Sequence, residues 1–359
     1  MFVRILLLSI VAKCGVFTHV RDLAFHLQKR GLEPVIGMVH NPATKNLFKV
    51  SEMDIQAMEA SLEGIPRFYY SSGKSLLDQI RDKEFTLIHS HSPLTLPTAM
   101  ALAGYMDIPF VVTLHGVIHW SKHYHHELSA AKGIIAIGPE VAKSAGPEFQ
   151  DKIHIIYNGI DTEHFRPGDN SSYDNTLRIV WLGRTSGAAS SGAEYLAKAI
   201  QMLRRQGADI EAKVIGHPLG ANVRGMEVCG WAHDILPYLQ WSHMAFARGR
   251  ALREAMACGN AGFLLAEGYG GLVRPKWFQN GNHVQLSGAL KHGFSKLNVS
   301  QIAKDILFFY QNRDYLEKAR NIARKIAVEY FDINNMVDDT CKIYEHAIRL
   351  YENDRYSVP

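Results

Sequence analysis

The sequence predicts an α/β protein built from two doubly wound domains, each a parallel sheet covered by helices. Three observations predict it. The chain has 359 residues, more than the roughly 250–300 at which a single core stops growing. Apolar runs that are continuous rather than alternating recur between amphipathic helical stretches, the pattern of strands buried on both faces. That succession breaks once, at a polar stretch, and then restarts.

In the first half, Ile5 to Val11, Pro34 to Val39, Leu87 to His91, Phe110 to Leu114, Gly133 to Ile137 and Ile153 to Tyr157 read as buried strands. Between them lie helices such as Thr18 to Arg30, with Val20, Leu23, Ala24 and Leu27 on one face. Arg166 to Thr176 is polar, holds Pro, Gly and Asn, shows no periodicity, and reads as the linker. After it come a strand at Leu177 to Leu182, a helix at Ala193 to Arg205, and strands at Glu211 to Ile215 and Met226 to Cys229. The segment around Glu254, a strand at Gly262 to Leu265 and a long amphipathic helix from Ile333 to Tyr351 complete the chain. The domains expected are 1–168 and 169–332, with no internal repeat and no low-complexity segment.

Composition narrows the function. With 47% apolar and 21% charged residues the chain is an ordinary folded protein. Thirty-nine Lys and Arg against 35 Asp and Glu leave a net charge of +4. That allows a local patch for phosphate or a membrane surface and is too weak to argue for nucleic acid. The apolar stretch from Met1 to Ala12 is short, interrupted by Arg4 and followed by Lys13 before Cys14, so it reads as a first strand rather than a signal peptide. No window approaches the ~20 apolar residues of a membrane span. Cys14, Cys229, Cys258 and Cys341 lack metal-type spacing and read as free thiols of a reducing cytoplasm. A cytoplasmic protein is expected, with peripheral contact at the inner membrane face and the oligomeric state left open.

The most informative stretch is Arg253 to Gly259 (R-E-A-M-A-C-G), led in by Gly249-Arg250-Ala251-Leu252. A glycine turn ahead of a short helix exposes amides that suit an anion, and Glu254 lies about one turn further in. A carboxylate there can accept both hydroxyls of a ribose while the amides hold a diphosphate. Other pieces recur in order. Val11 to Val16 follows the first strand and offers Gly15 for close backbone approach to a phosphate. Thr113-Leu114-His115-Gly116 closes another strand. Tyr157-Asn158-Gly159-Ile160-Asp161-Thr162 runs on to Phe165-Arg166-Pro167, with Asn-Gly turning the chain at the crossover. Trp181-Leu182-Gly183-Arg184 ends the first strand of the second half. Ile215-Gly216-His217-Pro218 and Cys229-Gly230-Trp231-Ala232 are further strand ends.

Together these resemble GT-B glycosyltransferases, especially the retaining family 4 type, over nearly the whole chain. The N-G-I-D run is the most specific match. The resemblance implies two Rossmann-like doubly wound domains facing a cleft at the carboxyl ends of their strands. It implies a C-terminal helix, about 333–359, that completes the first, acceptor-side domain, while the second binds the nucleotide sugar. It implies a donor site of Gly15, Arg184, Gly216, His217, Trp231, Ala232, Arg250, Ala251, Leu252 and Glu254, with His115 and Arg184 at the chemistry. Trp231 could stack on the base or be a core residue. The donor is a substrate rather than a cofactor, UDP-linked by family frequency alone. A sugar, lipid or small molecule is the acceptor.

Two departures stand out. Many family 4 enzymes carry two glutamates with seven residues between them; the second matches Glu254, but Phe246 occupies the first position. The family's phosphate-binding lysine after Gly183-Arg184 is also missing, with Ser191 nearest its place in Thr185 to Gly192. Arg248, Arg250 or Lys13 could compensate. The run from His119 and Trp120 to His126 invites a metal reading, but no carboxylate or Cys set and no Asp-x-Asp motif accompanies it. An acceptor rim of His91, His119 and Trp120, or a solvated helix face, is expected instead, and no metal. Gly268 to Gly271 could form a phosphate or sugar loop, but a plain turn is the expected reading. The rival readings are a non-catalytic GT-B subunit supporting a partner transferase and a sugar-nucleotide epimerase. A nicotinamide dehydrogenase is poorly supported, because no Gly-x-Gly-x-x-Gly follows the first strand.

Overall fold

The computed structural model describes residues 3–12, 14–168, 175–183, 190–216, 220–230, 232, 234–279 and 283–356. The chain divides into two compact units: residues up to Gly159 together with the chain from Ile333 onward, and Ile160–Asp332.

In the first unit the order is β1 (Arg4–Ile10), α1 (Gly15–Lys29), β2 (Glu33–Val39), α2 (Pro42–Phe48), α3 (Glu52–Ala60), β3 (Arg67–Tyr70), α4 (Gly73–Ile80) and β4 (Leu87–Ser90). It continues with α5 (Leu96–Met106), β5 (Phe110–Leu114), α6 (Trp120–Ala130), β6 (Gly133–Ala136), α7 (Pro139–Ser144) and β7 (Ile153–Ile155). The strands form one sheet in the order β3-β2-β1-β4-β5-β6-β7, every pair parallel. Period two along each strand sends Leu6, Leu8, Ile88 and Val112 into one core and Ile5, Leu7, Leu87 and Val111 into another. The second core is shared with α1 and with the last helix of the chain.

The second unit runs β8 (Leu177–Leu182), α8 (Ser190–Arg205), β9 (Ile210–Ile215), β10 (Glu227–Gly230), α9 (Leu236–Trp241), β11 (Met244–Ala247), α10 (Gly249–Ala257) and β12 (Ala261–Leu265). Then follow β13 (Gly268–Leu272), β14 (Ser295–Lys296), α11 (Val299–Gln311) and α12 (Arg313–Phe331), before α13 (Ile333–Tyr356) returns to the first unit. Its sheet order is β10-β9-β8-β11-β12-β13-β14, parallel as far as β12 and antiparallel beyond. The glycine-rich stretch expected to turn is therefore strand β13. A Cβ on Gly270 would come within 2.9 Å of Leu264, so glycine is what lets the hairpin pack flat against β12.

The boundary falls at 159/160, earlier than the expected 168/169. Residues 160–168 are held by the second unit: Ile160 bridges Asp332, Arg324 donates to the carbonyls of Thr162, Phe165 and Ala257, and Gln240 donates to that of Arg166. Of the expected linker, residues 169–174 lie outside those described. At the crossover a Cβ on Gly159 would stand 2.6 Å from the Ile333 Cα, an approach only glycine permits. Gly159→Ala is expected to lower stability by roughly 1–3 kcal/mol through overpacking, read as an earlier urea midpoint.

His243 makes the second unit acid-sensitive. Its Nδ1 accepts from the Arg178 amide at 3.1 Å. Burial first, then the charges of Arg320, Arg178 and Arg313, lowers its pKa to about 4. The unfolded imidazole takes its proton near pH 6.5, so between those values the unfolded chain binds the extra proton. Stability should fall as pH drops through that window and level off below it. Urea midpoints measured across it should show the slope, and His243→Asn should flatten it.

Candidate functional site

In the first unit the carboxyl ends of β4 and β5 gather histidines. His89 and His91 lie two residues apart and so share a face; His115 follows the end of β5 on that same face, beside Thr113. Helix α1 covers this face and adds His19, which is buried with Val20 and Leu23. His89 is wholly inside and fully bonded: Nδ1 to the Tyr344 hydroxyl of α13 at 2.6 Å, Nε2 to the Thr113 hydroxyl at 2.7 Å. His91 lies against it, tilted by 39°, with ring centroids 3.9 Å apart, and its Nδ1 lies 3.3 Å from His115 Nε2. His19 meets His115 edge-on at 4.7 Å. Burial holds His89, His91 and His115 well below the ordinary histidine value, and neighbouring imidazoles push the same way. These three rings are neutral at physiological pH, able to donate or accept one hydrogen bond through each nitrogen.

Gly15 is the exposed first residue of α1, and its N-cap, Cys14, makes no side-chain capping bond. His119 is exposed just before α6. Trp120, expected on an acceptor rim, is a core residue instead: it is 2% exposed, and its indole N–H donates to the Gly116 carbonyl at 2.9 Å. The large apolar face of the indole explains the inward turn. Tyr124 and Leu128 follow Trp120 at helical spacing on the inner side, leaving His123, His125 and His126 exposed.

In the second unit, α10 begins directly after β11, with Arg248 as the only residue between them. Gly249 takes a left-handed φ of +56° at this abrupt turn, and its amide donates to the Leu286 carbonyl at 2.6 Å. The N-cap residue of α10, Arg248, makes no side-chain capping bond. Glu254 is buried, and its Oε1 receives Arg250 Nε at 2.6 Å, an i,i+4 pair on one helix face. Arg253 lies over the Phe331 ring at 4.5 Å. Ala251 is partly buried. Leu252, expected in the donor set, presents no group to a ligand: its side chain is in the core and its amide donates to the Arg248 carbonyl.

Phe246 is explained by the same short connection. It sits within β11, fully buried, and stacks on Phe263 at 4.9 Å. The position matched to the family's first glutamate therefore falls inside a strand, where its side chain serves the core. Nearby, Gly216 donates its amide to the Gly230 carbonyl at 2.7 Å and has a φ of +126°. A Cβ there would approach the Gly183 carbonyl oxygen, so the ends of β8, β9 and β10 close on one another through glycines. Ala232 packs against the adjoining core. Arg184, His217 and Trp231, like Lys13 and Thr185–Ala189, lie outside the described residues.

Sequence reasoning missed His19 and His89 and the bond from Tyr344. The His-x-His spacing at the end of a buried strand was the available signal for the cluster. Tyr344→Phe should leave His89 Nδ1 unmatched in the interior and lower stability by roughly 1–3 kcal/mol. A denaturation midpoint equal to that of the unaltered protein would show that the bond contributes nothing.

Comparison with known proteins accords with this fold. Residues 14–164 match the family model described as Glycosyltransferase Family 4. A glycosyltransferase from Rickettsia africae is 17% identical and superposes with a TM-score of 0.73, covering 97% of this chain and 99% of its own. HepE from Anabaena, solved with UDP and glucose, is 17% identical with a TM-score of 0.64, over 95% and 99%. A UDP-GlcNAc 2-epimerase from Neisseria meningitidis bound to UDP-GlcNAc is 14% identical with a TM-score of 0.55, over 94% and 98%. Among curated proteins, none matches the sequence. The fold is thus GT-B, and the resemblance to family 4 is borne out over the matched residues. Among the described residues, no helix is long and apolar enough to cross a membrane.

Proposed function

We propose that this protein transfers a sugar from a nucleoside diphosphate donor, UDP-linked in the first instance, to an acceptor hydroxyl with retention of configuration. The observation that carries the proposal is Glu254, a buried carboxylate on α10 paired with Arg250, one turn from a helix start whose N-cap residue makes no side-chain capping bond. The family 4 match over the first unit and the GT-B neighbours support it.

In this reading the ribose hydroxyls donate to Glu254. They take over bonds that Arg250 makes in the free protein and release that guanidinium toward the diphosphate. Arg250, Arg184 and the first amides of α10 then face the charge that develops on the leaving group. The bond from the anomeric carbon to the phosphate oxygen breaks, and the bond to the acceptor oxygen forms on the same face. The acceptor proton passes to the departing phosphate oxygen. Neutral His115 hydrogen-bonds the sugar or the acceptor. Arg250 thereby takes the part of the missing lysine, and sugar recognition proceeds without the first glutamate. The acceptor is a sugar, a lipid-linked glycan or a small molecule.

Thermal shift with UDP, GDP, ADP and dTDP, on the unaltered protein and on Glu254→Ala, tests this. A nucleotide at a hundred times its dissociation constant should add roughly 2.7 kcal/mol. Stabilisation by one of them, lost in the variant, is the expected result. No shift with any would contradict the reading and favour a non-catalytic GT-B subunit. Stabilisation that survives Glu254→Ala would place the nucleotide elsewhere.

A further inference from the structure

We propose that His91 is a positioning residue for His115: its Nδ1–H donates to His115 Nε2 and thereby keeps the proton of His115 on Nδ1. The inference rests on the reading of His115 as the group that meets the sugar or the acceptor, while its own test needs no nucleotide.

Two neutral imidazoles joined by one hydrogen bond cannot choose their tautomers separately. His91 Nδ1 lies 3.3 Å from His115 Nε2, so one of these nitrogens carries a proton and the other does not. Burial first, then neighbouring imidazoles, lowers both pKa values well below the ordinary histidine value, so neither ring holds a second proton at neutral pH. Either His91 donates and His115 is protonated on Nδ1, or His115 donates and His91 is protonated on Nε2.

A second observation chooses between them. His91 is wholly buried, and its Nε2 has no hydrogen-bond partner among the described residues. If His115 donated, that nitrogen would be an N–H shut away from any acceptor. If His91 donates, it is a bare lone pair. The C–H groups of a core can approach a lone pair as weak donors but offer nothing to an N–H. Buried backbone N–H groups without an acceptor are likewise rarer than under-satisfied oxygens. The frame around the pair is fixed as well. The His91 amide donates to the Leu8 carbonyl at 2.9 Å and extends the pairing of β4 with β1. His89, itself bonded through both nitrogens, lies against the His91 ring.

The consequence lies in what His115 can do. It is half-buried at the end of β5, and its Nδ1 has no hydrogen-bond partner among the described residues. With the proton held there, that nitrogen donates to a sugar or acceptor oxygen and cannot take a proton from it. His115 then orients an oxygen, and deprotonation of the acceptor hydroxyl falls to the departing phosphate oxygen. Wholly buried, His91 acts through this neighbour rather than on an acceptor rim.

Nitrogen-15 NMR reads the tautomer directly, because protonated and bare ring nitrogens resonate far apart. The full chain, labelled in its histidines, is compared at neutral pH with His91→Phe and His91→Asn, and His115→Gln assigns the His115 signals. We expect Nδ1 protonated and Nε2 bare in the unaltered protein. His91→Phe removes the donor, and His115 should pass to the Nε2–H form that predominates in free imidazole side chains, so that its two signals exchange character. His91→Asn sets an amide nitrogen in place of Nδ1 and should restore the original pattern, a rescue that a merely structural role would not give. Protonation of His115 on Nε2 in the unaltered protein would overturn the proposal, and that spectrum requires no variant to fold. An Nδ1–H form that persists in His91→Phe would overturn it equally. Failure of the protein to bind any nucleotide would tell against the transferase reading and leave the tautomer to be judged by its own spectrum.

Discussion

A parallel sheet covered by helices on both faces leaves no water for a polar side chain inside it. Each such group must find a protein partner or stand at a carboxyl strand end, where a ligand can reach it. Several buried groups in both units show this constraint at work. Within the first, His89 lies mid-sheet and spends both nitrogens on Tyr344 and Thr113, while His91 and His115 crowd the strand ends. Within the second, Ser242 donates to Asn260, which donates in turn to the carbonyls of Leu239 and Ala255 and ties α9 to α10. The buried carboxylate of Glu254 is matched by Arg250. Polar chemistry is confined to a few places, and those places are where function is to be sought.

The shape of the second-unit site follows from one short connection. With Arg248 alone between β11 and α10, Phe246 lies within the strand and serves the core. The same shortness brings Arg250 into the first turn, four residues from Glu254.

Most of the fold was legible in the sequence because buried parallel strands are continuous apolar runs. Phe110–Leu114 and Leu177–Leu182 have the bounds expected. What escaped notice includes the short central strand Met244–Ala247 as well as strands at or near the sheet edges. Arg67–Tyr70 is only four residues long and mostly half buried, and Gly268–Leu272 is too rich in glycine to resemble a strand. At the candidate site, Glu254 and His115 were legible because each sits in a motif. The inward turn of Trp120 was not, since an aromatic beside histidines reads equally as rim or core. The grouping of His19 with His91 and His115 joins residues distant in sequence, which only the packing of α1 onto the sheet brings together.

The central claim is that the first turn of α10 and Glu254 hold the nucleotide. Hydrogen–deuterium exchange in the presence and absence of UDP tests it most directly, because it reports where the ligand sits as well as whether it binds. The account predicts slowed exchange in the segment Gly249–Glu254 and at the adjoining Gly216 and Gly230. Binding with that segment unchanged and protection elsewhere would contradict it.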